Sequence, residues 1–253
     1  MQAENIKQVI KELDKIIAWA EKENSRVGYF TALYRRVTVD VKEKIAQKYF
    51  DNNERMEELD VRFANRYLAA YTAFRNGEEM TESWRVAFDA TTELSPIVLQ
   101  HLLVGMNAHI NLDLGIAAAE IAPGDKYKDL EDDFDKINKV LAGLVDDVKE
   151  ELAQIWWLLG IVNRLFGELE KVIINFSMRI ARNEAWDFGG EVARADKSQR
   201  ANLIKKRDKE VAKIGRLVVN PPLFSRIIIW IIRLGEPKSV SKIIGILNEK
   251  AKS

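Results

Sequence analysis

Apolar residues recur three and four positions apart along almost the whole chain, the period of an amphipathic α-helix. Residues 3–22 carry Ile6, Val9, Leu13, Ile16, Ile17 and Ala20 on one stripe, and Asn24-Ser25 ends that segment. The same period predicts helices over 27–49, 54–76 and 82–93, with a cap offered by Asp51-Asn52-Asn53, Thr81 as the N-cap of the third and Gly77 as a stop. Further helices are expected over 129–166, 168–187, 199–215, 222–234 and 238–250. Gly124–Lys128 and Gly189–Arg200 read as loops, the second as a connector or a flap over a site. Strand alternation, a glycine-rich phosphate loop, a nucleophile elbow and a repeat period are all missing. The pattern predicts an all-α fold: one domain over 1–253 with nine or ten helices, those after about residue 196 forming a peripheral subregion.

One stretch differs from the rest. Residues 96–122 form a long apolar run, capped by Ser95 and Pro96 and stopped by Pro123-Gly124. It holds both histidines of the chain. His101, Gly105, His109 and Asp113 follow one another at four-residue steps, so they share a slowly drifting ridge of this central helix. Asn107 and Asn111 form a second such pair on the adjoining flank. Five polar side chains on an almost uncharged helix need partners once buried. Gly105 marks either a close helix crossing or a small cavity.

The spacing limits the chemistry. His101 and His109 lie about 12 Å apart along a straight helix axis, too far to share one ion readily. His109 with Asp113 is the better pair, either as a dyad that fixes an imidazole tautomer or as half of a metal site completed from another helix. Asp132, Asp133 and Asp135 have neither the spacing nor the glycine of a calcium loop.

Composition narrows the field further. The 253 residues carry 39 basic and 39 acidic side chains, so no overall charge draws the chain to nucleic acid. Lys205-Lys206-Arg207 has acidic neighbours and reads as a solvated face. There is no cysteine, which excludes disulfides, thiolate catalysis and Cys-ligated zinc. The first residues lack the apolar core of a signal peptide, and no window is read as a transmembrane segment, so a cytoplasmic protein is expected.

The segments HLLVGMNAHINLDLGIA and LDVRFANRYL, with FTALYRRVT, WRVAF, DFDKIN and NFSMRIARNEAW, resemble a family of uncharacterised, largely bacterial all-helical proteins, a domain of unknown function. The resemblance runs from about Tyr29 to Trp186. It implies the helical fold and shared polar positions, and it carries no activity to transfer. A vaguer similarity is to helical zinc phosphohydrolases, but two histidines are too few for a multi-zinc site of that type.

The expectation for function is a protein that binds or hydrolyses a small molecule in a His/Asn/Asp-lined pocket at Gly105. His109 would act as general base held by Asp113, and His101 or an arginine would orient the substrate. Asn107, Asn111, Asp60, Tyr34, Arg62 and Trp186 would line the site. Whether it is an enzyme, and which cofactor or metal it holds, stay open. The alternative is a non-enzymatic interaction module that offers the apolar helix 222–234 to a membrane surface or to a second copy of itself.

Overall fold

The computed structural model describes residues 1–137, 139–140 and 178–249. Its helices are α1 (Ile6–Lys22), α2 (Val27–Ala46), α3 (Asn53–Asn76), α4 (Glu82–Thr92), α5 (Val98–Ala108), α6 (Gly115–Ile121), α7 (Met178–Arg194), α8 (Lys197–Val219), α9 (Leu223–Gly235) and α10 (Val240–Asn248). The described residues contain no strand, and the fold is all-α. The reading of 141–177, including most of the helix expected over 129–166, lies outside the described residues.

α5 and α6 form one rod, joined by a π-helical turn over His109–Leu114. The rod is the axis of the fold: α2, α3, α4, α7 and α8 all pack on it. Val98–Ile121 is in fact long and apolar enough to cross a membrane by length and composition, contrary to the sequence expectation, yet nearly all of it is buried inside the fold. Close packing is achieved with glycine. A Cβ on Gly105 would meet the Phe30 ring at 2.6 Å, so α2 crosses directly over this residue. A Cβ on Gly115 would lie 2.7 Å from the Ala185 carbonyl, which lets α7 approach α6 backbone to backbone.

Three helix N-termini are capped by carboxylates from remote segments. Asp208 of α8 accepts from the N–H groups of Glu82 and Ser83 at 2.7 and 2.9 Å, opening α4. Asp133 accepts from those of Asp51 and Asn52, at 2.7 and 3.2 Å, just ahead of α3. Glu236 accepts from Val98 at 2.8 Å, at the first residue of α5. Each carboxylate meets free N–H groups at the positive end of a helix dipole. Asp133 is thus committed to backbone capping and to Arg55, 3.1 Å away.

Several sequence expectations are corrected. The central helix starts at Val98 rather than Pro96; the Gln100 side chain, not Ser95, bonds the Ile97 N–H at 3.0 Å. Residues 124–130 form a 3-10 helix instead of a loop. The expected loop over 189–200 is mostly helix, because α7 runs to Arg194 and Asp196 caps α8 almost at once, accepting from Ser198 and Gln199. α9 is not wholly buried: Leu223, Ile227, Trp230 and Leu234 face outward.

Candidate functional site

The π-helical turn presents Asp113 to α3 and α4. Asp113 is 1% exposed and accepts three hydrogen bonds: from Arg66 Nε at 2.8 Å, Trp84 Nε1 at 2.8 Å and His109 Nδ1 at 3.2 Å. Burial alone would push its carboxyl pKa up. The Arg66 guanidinium, with help from His109 and Trp84, outweighs that and holds it below the usual carboxylate range. An ionised Asp113 requires the proton of His109 on Nδ1, leaving Nε2 as the bare acceptor. Burial, against the opposing pull of Asp113, keeps His109 neutral by lowering its pKa.

His109 itself is shut in. Its ring stacks on Phe63 with centroids 3.5 Å apart and planes 7° from parallel, and Tyr34 meets it edge-on at 4.6 Å. Phe30, Tyr67 and Trp84 complete the box. Nε2 has no hydrogen-bond partner, and neither has the Tyr34 hydroxyl beside it. Asp60, buried near Tyr34, has its pKa raised to about 7 by burial and by Glu57.

In front of Asp113 and Trp84 lies a cleft of about 400 Å³ between α3, α4 and the end of α6. Arg62, Asn65 and Arg66 form one wall from α3, while Thr81, Met80 and Glu79 form the other. Arg66 is the hinge of the arrangement: its Nε grips Asp113 while its side chain stays 26% exposed. Glu120 approaches both arginines, 3.9 Å from Arg66 and 4.0 Å from Arg62, so the cleft presents both signs of charge.

The rest of the expected constellation is dispersed. No cavity opens at Gly105, because Phe30 fills that space. His101 is 3% exposed, but it belongs to a different neighbourhood, edge-on to Tyr29 at 5.6 Å. Neither of its ring nitrogens has a hydrogen-bond partner; the Pro96 carbonyl is engaged by Arg233 at 3.0 Å. Burial, then Arg26 and Arg233, lower the His101 pKa to about 3. Asn107 donates to the Val211 carbonyl at 2.8 Å and accepts from Asn111 at 2.9 Å, and Arg207 bonds the Asn111 carbonyl at 3.0 Å. This pair therefore ties the rod to α8, away from the cleft. Trp186 packs on Tyr127 and Phe134, with centroids 4.4 and 4.9 Å apart. The structure thus joins His109 and Asp113 to Arg66 and Trp84, with Arg62 at the rim and Tyr34 and Asp60 behind. Sequence reasoning missed Arg66 and Trp84 as members. The signal available was the lone Asp113 on an apolar helix, which demands a cationic partner, and Arg66 stands one turn beyond Arg62.

Among the described residues, no three His, Asp or Glu side chains gather to hold a metal ion. Residues 6–221 match the Family of unknown function (DUF5995). The chain belongs to this family. No curated protein matches it, and no solved structure does. The matched span includes the whole rod, the cleft and α8, whereas α9 and α10 follow it.

Proposed function

We propose that the cleft binds a small molecule carrying a carboxylate or phosphate group, seated on Arg66 and Arg62, with Glu79 and Glu120 favouring one that also bears a cationic group. The observation that carries this reading is Arg66. A buried carboxylate fixes its orientation from behind, yet its side chain remains open to a concave, partly polar space. A guanidinium held in this way loses little freedom on meeting an anion, and that lowers the cost of binding.

Binding suits the geometry better than hydrolysis. A general base must reach the proton it takes, directly or through one water. His109 Nε2 lies inside the aromatic box, and His109 does not line the cleft. The dyad acts instead as the support that positions Arg66.

Calorimetry and thermal melting against inorganic phosphate, small carboxylates and α-amino acids test the reading. At least one of these classes is expected to raise the melting temperature of the wild-type chain. Arg62→Gln should weaken that ligand about 10-fold through loss of one charge-assisted hydrogen bond. Glu120→Gln should tighten a purely anionic ligand by removing a carboxylate 3.9 Å from Arg66, while Arg62 stays paired with Glu58 at 2.9 Å. A panel that leaves the melting curve unmoved would overturn the proposal.

A further inference from the structure

α9 has two unlike faces. Ile232 is fully buried, and with Ile229 and Ile231 it packs on Ile97, Leu99 and Leu103 at the start of the rod. The opposite face shows Leu223, Ile227, Trp230 and Leu234, each between 60% and 78% exposed. Steps of four, three and four residues put these side chains on one continuous stripe. Thirteen residues at ~1.5 Å each make a rod of about 20 Å, too short to span a bilayer and long enough to lie along one.

The charge around the stripe is lopsided. Residues 213–242 hold six basic side chains (Lys213, Arg216, Arg226, Arg233, Lys238 and Lys242) and one acid, Glu236, in a chain that is neutral overall. That acid caps Val98 and also lines the cleft beside the stripe. Of the bases, Lys213, Arg216, Arg226, Lys238 and Lys242 are exposed, Arg216 being paired with Glu82 of α4. Beside the stripe, Trp230 and Leu234 border a second cleft of about 510 Å³, whose wall includes Arg26, Arg233 and Lys238. An apolar ridge with an indole at its centre therefore adjoins a hollow lined by three cations and one carboxylate, Glu236.

We infer that this face docks on a membrane surface containing anionic phospholipid, the stripe entering the acyl boundary and a lipid phosphate entering the Arg26–Arg233–Lys238 cleft. Apolar contact and attraction to acidic headgroups add on such a surface, which is what an amphipathic helix with basic flanks exploits. Self-association through the same face would set one basic surface against its copy, so charge favours the lipid over a second chain. The α9 stripe lies beyond the residues that match the family, and the face is independent of the Arg66 cleft.

Flotation of the full-length chain with vesicles tests this. Phosphatidylcholine vesicles containing a third phosphatidylglycerol should carry the protein, and pure phosphatidylcholine should not. Ile227→Ser with Trp230→Ser, both at exposed positions, should cut the bound fraction at least about 10-fold, with the melting temperature unchanged. Arg226→Glu with Lys238→Glu should do the same, and raising the salt from about 0.1 M to 1 M should weaken wild-type binding. A blue shift in tryptophan emission on anionic vesicles, lost in the Trp230 variant, is the matching spectroscopic sign. A chain that ignores anionic vesicles would overturn the inference. So would binding that neither double variant changes, or a dimer in sedimentation that the Ile227/Trp230 variant dissolves.

Discussion

At the scale of the residue, the two histidines show how alike neighbours on one helix diverge once folded. His109 finds a carboxylate, and His101 finds two arginines and no hydrogen-bond partner. The lowered pKa of His101 has a definite consequence. In the unfolded chain the imidazole takes up a proton near its ordinary value of 6.5, whereas the folded chain refuses it until about pH 3. Stability from this group is present above pH 6.5 and is lost as the pH falls toward 3. His101→Leu, of similar size, should flatten that loss: melting temperatures of variant and wild type should diverge between pH 6 and 4 in the variant's favour. A parallel decline of the two would show that His101 does not drive it. Asp60 behaves in the opposite sense. Its carboxyl pKa is raised from 3.8 to about 7, so its contribution is full below pH 4 and lost as the pH rises through 7. The sequence revealed that these polar residues are buried, since an apolar helix surrounds them. The His109–Asp113 pair was legible from its four-residue spacing, but Arg66, Trp84 and Arg233 were hidden, because they lie on α3, α4 and α9 at separations that no local spacing encodes.

Elements were far more legible. The stripe and cap signals located α1 to α4 to within a few residues, and of the run Asp51-Asn52-Asn53 it is Asn52 that caps α3, accepting from Arg55 at 3.0 Å. Two features escaped. The π-helical turn leaves no mark in a 3.6-residue period, although such turns often occur at functional positions; Arg207, reaching the Asn111 carbonyl from α8, is part of its setting. The second is the run after Gly189, where glycine and polar residues suggested a loop. There the pair at Gly115 and Gly189 serves helix contact: a Cβ on Gly189 would come 2.8 Å from the Gly115 carbonyl. Gly105 makes the same point testably. Gly105→Ala improves helix propensity, yet its methyl would collide with Phe30 at 2.6 Å. The expected result is a loss of about 1–3 kcal/mol in denaturant melts. A neutral or stabilised variant would mean that Phe30 moves aside and that space can be made next to His109.

For the whole molecule, the all-α architecture around one central rod was readable from periodicity and composition alone. What could not be read was which helices meet, and therefore which surface is left over. α10 is an instance: it lies outside the matched family span, yet Ile244 packs against Gly28 of α2 so tightly that a Cβ there would approach to 2.4 Å. Ile232, Ile243, Ile244 and Leu247 are all buried to within 3%. At ~1.5–3 kcal/mol for each side chain, their combined burial rivals the stability of an ordinary domain. A chain cut after residue 221 should therefore lose its cooperative thermal transition, even though it retains every residue of the family match. A sharp melt in that fragment would show that the last two helices are an ornament.

The carboxylate that closes the start of the rod sits 138 residues downstream of the N–H it receives. During synthesis the leading amide of the rod therefore lacks this carboxylate until position 236 has left the ribosome. The cap at the head of the rod is thereby tied to completion of α9, the helix that ends just before Glu236.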